Sequence, residues 1–260
     1  MSDRAVDPPA ASGLFGHIER LHAGRSWGSV LDAGTGVNSM LWILGLETTR
    51  WTAVTGSPDH GAQVRRAVGE RAREKDRLLV GNWLDPSLLA GEVFDAVLAD
   101  YLLGAVEGFA PYFQQSLFRR LRPHVGGRLY VVGLDPYVPV APSTPAEGMV
   151  RDIGRLRDAC LLLAGETPYR EYPAEWVVER LGADGFRVLS ARRFANRYKA
   201  RWINSQLDMA LRRADRLADR TLAVALSCRA EALRGQALDL ARRENGLRAG
   251  HDWVIAAEPA

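Results

Sequence analysis

The sequence predicts a doubly wound α/β fold in one domain: a mostly parallel seven-stranded sheet, with an antiparallel strand near one edge and a C-terminal helical insertion. Three observations lead there. Short apolar runs bounded by turn residues alternate with stretches of helical periodicity. The sharpest transition, Ser29-Val30-Leu31-Asp32-Ala33-Gly34-Thr35-Gly36-Val37-Asn38-Ser39-Met40, sets a glycine turn between a buried strand and an apolar helix. The last run, Trp253-Val254-Ile255-Ala256-Ala257, reads as a strand inserted antiparallel at or near an edge.

The chain of 260 residues is long enough to bury a substantial core. A quarter of the residues are charged and apolar content is ordinary, which argues against disorder beyond the ends. The net charge of +3 does not by itself call for nucleic acid. Cys160 and Cys228 lie far apart without metal-like spacing, so two free thiols in a reducing cytosol are expected, and no metal. Met1-Ser2-Asp3-Arg4 lacks an apolar signal core and no apolar run approaches membrane length, so a soluble cytoplasmic protein is expected.

Residues 1–28 read as a polar arm followed by a helix over 13–27, with Leu14, Phe15, Ile18 and Leu21 on one face. His17 and His22 read as surface or capping histidines. At the glycine turn, Gly34 and Gly36 sit where the backbone comes close to a ligand that a Cβ would obstruct. The following helix offers unpaired N–H groups. Asp32, immediately before the turn, would repel a pyrophosphate and suits a positive or hydrogen-bond-donating group.

Val30-Leu31-Asp32-Ala33-Gly34-Thr35-Gly36 resembles the first motif of class I S-adenosylmethionine-dependent methyltransferases, whose fold is Rossmann-like. The resemblance implies S-adenosylmethionine as cofactor, with its amino-acid end and ribose at Asp32, Ala33, Gly34, Thr35, Gly36 and Asn38. The family ends its second strand, here 51–55, in an acid that holds both ribose hydroxyls. Gly56-Ser57-Pro58-Asp59-His60 follows instead, with Pro58 in the acidic slot, so Ser57 or Asp59 would substitute. A helix over 61–75 turns Val64 and Val68 inward. After the third strand, 77–80, Asn82 and Trp83 stand where the family has an aspartate and a large apolar residue at the adenine; a core aromatic is the other reading of Trp83. Residues 93–101, opening on Phe94-Asp95, resemble the fourth strand. Ligands of open parallel sheets bind beyond the strands' carboxyl ends, which puts Asp100 and Tyr101 near the reacting centre. Asp100 otherwise caps a helix beginning near Leu102.

A helix over 111–121 leads through Arg122-Pro123-His124-Val125-Gly126-Gly127 into the fifth strand, 128–132, with His124 structural. Residues 135–172 read as a substrate lid containing a helix over 146–164, and Tyr137, Tyr169 and Tyr172 are candidate substrate contacts. A helix over 174–181 and a strand over 187–190 follow. Residues 198–246 form an insertion of two long helices broken at Asp219-Arg220-Thr221. Its arginines, Arg192, Arg193, Arg197, Arg201, Arg212, Arg213, Arg216 and Arg220 among them, read as solvated faces; a lid, a homodimer interface or an acidic-partner surface are the alternatives.

The expected function is S-adenosylmethionine-dependent methyl transfer to a small-molecule acceptor, by in-line transfer. Asp100, then Tyr101, would take a proton where the acceptor must lose one. Two alternatives remain: an RNA methyltransferase using the arginine-rich insertion, and an inactive S-adenosylmethionine-binding protein, suggested by Pro58 and Asn82. A nicotinamide oxidoreductase is disfavoured by Asp32 and by Asn38 in place of a third glycine.

Overall fold

The computed structural model describes residues 13–260, and the arm expected over 1–12 lies outside them. Seven strands, β1 (Ser29–Asp32), β2 (Arg50–Thr55), β3 (Arg77–Val80), β4 (Phe94–Asp100), β5 (Val125–Leu134), β6 (Phe186–Tyr198) and β7 (Leu247–Pro259), form one sheet in the order β3-β2-β1-β4-β5-β7-β6. β7 runs antiparallel to both β5 and β6, and every other pairing is parallel. The antiparallel strand is therefore one place in from the edge, as expected. The helices are α1 (Leu14–His22), α2 (Val37–Ile43), α3 (Pro58–Val68), α4 (Leu102–Ala105), α5 (Gln114–Leu121), α6 (Pro145–Leu163), α7 (Ala174–Ala183), α8 (Ala200–Ala214) and α9 (Arg220–Arg243).

Strand alternation divides the core into two layers. Ala96 and Leu98 of β4 pack with Ile18, Met40, Ile43 and Val64 of α1 to α3. Val97 and Ala99 pack with Leu117, Phe118, Val177 and Leu181 of α5 and α7. A third cluster lies beyond the carboxyl end of β5: Val150, Ile153, Ile203, Leu207, Leu233 and Ala237 from α6, α8 and α9 close on Leu247 and Ala249 of β7.

Four local differences from the expected elements have physical reasons. First, α1 ends at His22, and both its histidines are buried rather than superficial. His22 Nδ1 lies 2.9 Å from the Tyr130 hydroxyl and the ring stacks on Trp27 at 3.7 Å; burial pushes the pKa of both histidines down. The helix packs on the sheet and does not line the cleft described below. Second, α3 starts at Pro58 with Ser57 as its cap, because proline's fixed φ suits a first helical position. Third, β6 and β7 span 13 residues each, far longer than their apolar runs. β6 is an edge strand that packs Phe186, Val188 and Phe194 on the core between exposed arginines, so Arg192, Arg193 and Arg197 belong to a strand and not to the insertion. Fourth, α5 begins only at Gln114, after Tyr112 takes a positive φ of 67°.

The two helices of the insertion break where expected, Asp219 accepting from the Leu222 N–H at 3.0 Å. The α8 stripe Ile203, Leu207, Ala210 and Ala214 is buried within this chain, against α6 and α9. No helix of the described residues is long and apolar enough to cross a membrane.

Leu207→Ala should cost about 2–5 kcal/mol, as for a filled core position, whereas Leu222→Ala on the exposed side of α9 should change stability by less than ~0.5 kcal/mol. Urea unfolding of both variants checks this; equal small effects would mean that the insertion is not part of the cooperative core.

Candidate functional site

The carboxyl ends of the parallel strands open onto a cleft of about 210 Å³. Its floor is the Ala33–Gly36 turn after β1, with Gly56 and His60 after β2, Gly81, Asn82 and Trp83 after β3, and Asp100 at the end of β4. Leu102, Ala105, Val106 and Phe109 form the opposite wall, and Tyr169 reaches over from the segment between α6 and α7.

The two glycines of the turn do different things. A Cβ on Gly34 would stand 2.9 Å from the Leu102 Cβ, so Gly34 is already required by its protein neighbour, and it also lines the cleft. A Cβ on Gly36 would meet no protein atom within 4 Å, and Gly36 lines the cleft. The turn's donors are largely occupied: the Ala33 N–H donates to Leu98 O at 2.8 Å, that of Thr35 to Val54 O at 2.7 Å, and that of Gly36 to Ser39 Oγ at 3.1 Å. Such a turn has few N–H groups left for a phosphate.

Asp32 lies beneath this turn, fully buried. Its Oδ2 accepts from Ser39 Oγ at 2.7 Å, while Oδ1 has no hydrogen-bond partner among the described residues. Burial pushes its pKa up to about 6, against the Ser39 hydrogen bond that favours the carboxylate. Asn38 is exposed on the first turn of α2 and does not line the cleft.

Four expected contacts need correction. Ser57 is occupied as the α3 cap, accepting from the His60 N–H at 3.3 Å, and Asp59 is exposed in the first helical turn. Neither lines the cleft; His60 does, because the earlier helix start rotates it inward. Tyr137 packs instead among α6 and α8, its hydroxyl accepting from Arg157 at 2.8 Å, and Tyr172 stacks on Trp176 with centroids 4.1 Å apart. Tyr169 alone of the three lines the cleft.

Asn82 and Trp83 both line the cleft, yet each is also tied to protein. Asn82 Nδ2 donates to Phe109 O at 2.8 Å and its Oδ1 accepts from the Leu84 N–H at 3.0 Å. Trp83 is buried and donates from Nε1 to Ala33 O at 2.6 Å, joining the exit of β3 to the glycine turn. Asp95 sits at the opposite, amino end of the sheet, accepting from Ser29 N and Oγ at 2.7 Å, and is structural. His124 is also structural, with Nδ1 2.8 Å from Glu92 O.

Acidic groups gather at the carboxyl edge. Asp32, Asp100 and Asp252 come from β1, β4 and β7 and share one sheet face, since Asp32 pairs with Leu98, Asp100 with Val132 and Asp252 with Leu134. Burial, then the charges of Asp32 and Asp252, push Asp100 up to about 7. Tyr101 follows in the left-handed region, φ 49°, which turns its side chain back to Asp252. Burial, then Asp252, raise its pKa beyond the ordinary tyrosine range, so Tyr101 keeps its proton. Only Asp100 of this pair can take up a proton near neutrality. Sequence reasoning missed His60, Glu171 and Asp252: the last precedes the apolar run that marked its strand, and Glu171 sits in a polar loop whose burial is a long-range effect.

No protein-family model matches the chain, and no curated protein matches it. Solved structures match the fold. A candidate methyltransferase from Bacillus halodurans is 14% identical, with a TM-score of 0.59 over 94% of this chain and 98% of that one. A SAM-dependent methyltransferase from Geobacter sulfurreducens, solved with S-adenosyl-L-homocysteine, is 13% identical, with a TM-score of 0.53 over 99% and 95%. The cyclase SpnF is 18% identical, with a TM-score of 0.54 over 94% and 81%. At these identities the likeness is one of fold.

Asp100 gives this site a pH signature. Its folded-state pKa lies above that of an unfolded aspartate, so its ionisation favours unfolding: the site is most stabilising below pH ~4 and loses that contribution as pH rises to about 7. Asp100→Asn lacks this loss. Its melting temperature relative to the native protein should rise across that interval and level off above it, and a difference independent of pH would contradict the assignment.

Proposed function

We propose that the protein transfers a methyl group from S-adenosylmethionine to a small-molecule acceptor. The observation that carries the reading is a cleft floored by a glycine turn whose own N–H groups are already bonded. That arrangement suits a cofactor with no phosphate at the turn. The apolar slot of Val54, Trp83, Val106 and Phe109 suits a flat base, and Gly36 leaves open space for the ligand's approach. The family's ribose acid has no counterpart, and His60 is the polar group at that place. The Geobacter sulfurreducens structure, solved with S-adenosyl-L-homocysteine on the same fold, supports this cofactor.

When bound, the cofactor supplies a methyl carbon activated by its sulfonium. The chain's own groups align, enclose and move a proton. Phe109 lies over Gly56 and is tethered through Asn82, and with Tyr169 it covers the cleft against water. Asp100, held near neutrality, is the proton acceptor. The arginines of the insertion favour a small acceptor over RNA: Arg213 and Arg216 pair with Glu166, and Arg234 pairs with Asp208 and Glu231. The exposed free Cys228 suits a reducing compartment such as the cytoplasm.

Calorimetry should give S-adenosylmethionine or S-adenosylhomocysteine a micromolar-range Kd, about 7–8 kcal/mol, and much weaker binding of NAD. Gly36→Val, at an extended backbone position with φ −128°, should fold and lose the cofactor. Binding of NAD alone, or normal cofactor binding by Gly36→Val, would overturn the reading.

A further inference from the structure

Beyond Asp100, away from the glycine turn, the carboxyl edge holds polar groups that methyl transfer as such does not require. Glu171 lies against Gly104: a Cβ there would stand 2.5 and 2.6 Å from its two carboxylate oxygens and displace them. Asp100 and Glu171 are each partly buried, and among the described residues neither carboxylate receives a hydrogen bond or ion pair. Burial pushes Glu171, like Asp100, up to about 7. Asp252, nearby on β7, accepts from Asn196 Nδ2 at 3.0 Å.

The cations in reach are already engaged. Arg157 contacts Asp158 at 2.6 Å, the Tyr137 hydroxyl at 2.8 Å and Gln206 Oε1 at 2.7 Å. Arg193 holds Asp135 and Glu175, each at 2.7 Å. Aromatic rings complete the surroundings: Tyr198 and Trp202 lie 4.2 Å apart, with Tyr137 6.4 Å from Trp202, and the Tyr198 hydroxyl feels the charges of Asp252 and Glu171. Partly buried carboxylates without protein cations beside them favour a cationic ligand, and aromatic faces attract the same kind of ligand. A carboxylate, phosphate or phenolate acceptor would meet repulsion from Asp100, Glu171 and Asp252.

Resting on the methyltransferase reading, we propose that the acceptor is an amine, bound as its ammonium form between Asp100, Glu171 and Asp252 and the aromatic wall of Tyr198 and Trp202. Asp100 lines both this region and the cofactor cleft, which sets the acceptor nitrogen at their boundary. The ammonium proton passes to the Asp100 carboxylate. The freed nitrogen lone pair forms the bond to the methyl carbon, and the carbon–sulfur bonding pair stays on the departing sulfur, which becomes a neutral thioether.

The test uses the full chain with choline, a permanent cation that cannot be deprotonated, and its neutral isostere 3,3-dimethylbutan-1-ol, both by calorimetry. The native protein should prefer choline by on the order of tenfold or more. Glu171→Gln and Asp252→Asn should each erase that preference while S-adenosylhomocysteine affinity, which also reports folding, stays within about twofold. Equal binding of choline and the alcohol, or a preference retained in both variants, would overturn the amine site. Selective choline binding without S-adenosylhomocysteine binding would uphold the cation site and overturn the methyltransferase reading on which the acceptor assignment rests.

Discussion

The wedging of β7 between β5 and β6 is the constraint on which the molecule depends. A parallel sheet ending at β5 would leave a row of unpaired backbone groups, and β7 satisfies them on one side while recruiting β6 on the other. Its middle residues feed both core layers, Trp253 and Ile255 towards α5 and α7, Val254 and Ala256 towards α1 to α3. Its first residues run beyond the end of β5 and give α6, α8 and α9 a surface to close on. The same strand delivers Asp252 to the face already holding Asp32 and Asp100, so extending the sheet past β5 and assembling the site are one event.

The parts of the fold readable in the sequence were those written in local pattern. Val30-Leu31, Ala53-Val54 and Val97-Leu98 are buried on both faces and read as apolar runs, and Asp219 announced its helix by a cap. The β6–β7 ribbon was underestimated because its outer half meets solvent and alternates arginine with small residues, which carries no apolar signal. Within the site, the glycine turn and Asp100 stood out at the ends of their strands, while Asn82 and Trp83 were named only through the family resemblance; all of them line the cleft. Ser57 and Asp59 were misplaced by a helix start three residues too late, and one turn of helix decides whether His60 or Asp59 faces the cleft. Glu171 and Asp252 owe their significance to burial by distant elements, which no local window contains.

The fold leaves the chemistry open. A cyclase and methyltransferases share this arrangement of strands, so the reaction is decided by side chains at the carboxyl edge. There the protein holds carboxyl groups in surroundings that resist their ionisation, a local sacrifice of stability for which the well-filled layers on either side of the sheet compensate.

The β6–β7 ribbon contains two irregularities, one between Val188 and Ser190, the other between Ala195 and Arg197. The first leaves Leu189 as the additional residue on β6; the second leaves an additional residue on β7, near Gly250 with its positive φ of 62°. The offsets are opposite, so both ends of the ribbon share one register while the middle is slipped by a single place. Since strand side chains alternate faces, that slip determines which residues of β6 stand beside Asp252. The ribbon is thus a frame-shifted segment between two compensating marks. Loss of Leu189 alone would leave the second mark uncompensated and misalign one end of the ribbon, whereas loss of Leu189 together with a residue at 249–250 would restore both ends. Change in this part of the chain is therefore constrained to occur in pairs, on strands separated by the whole helical insertion.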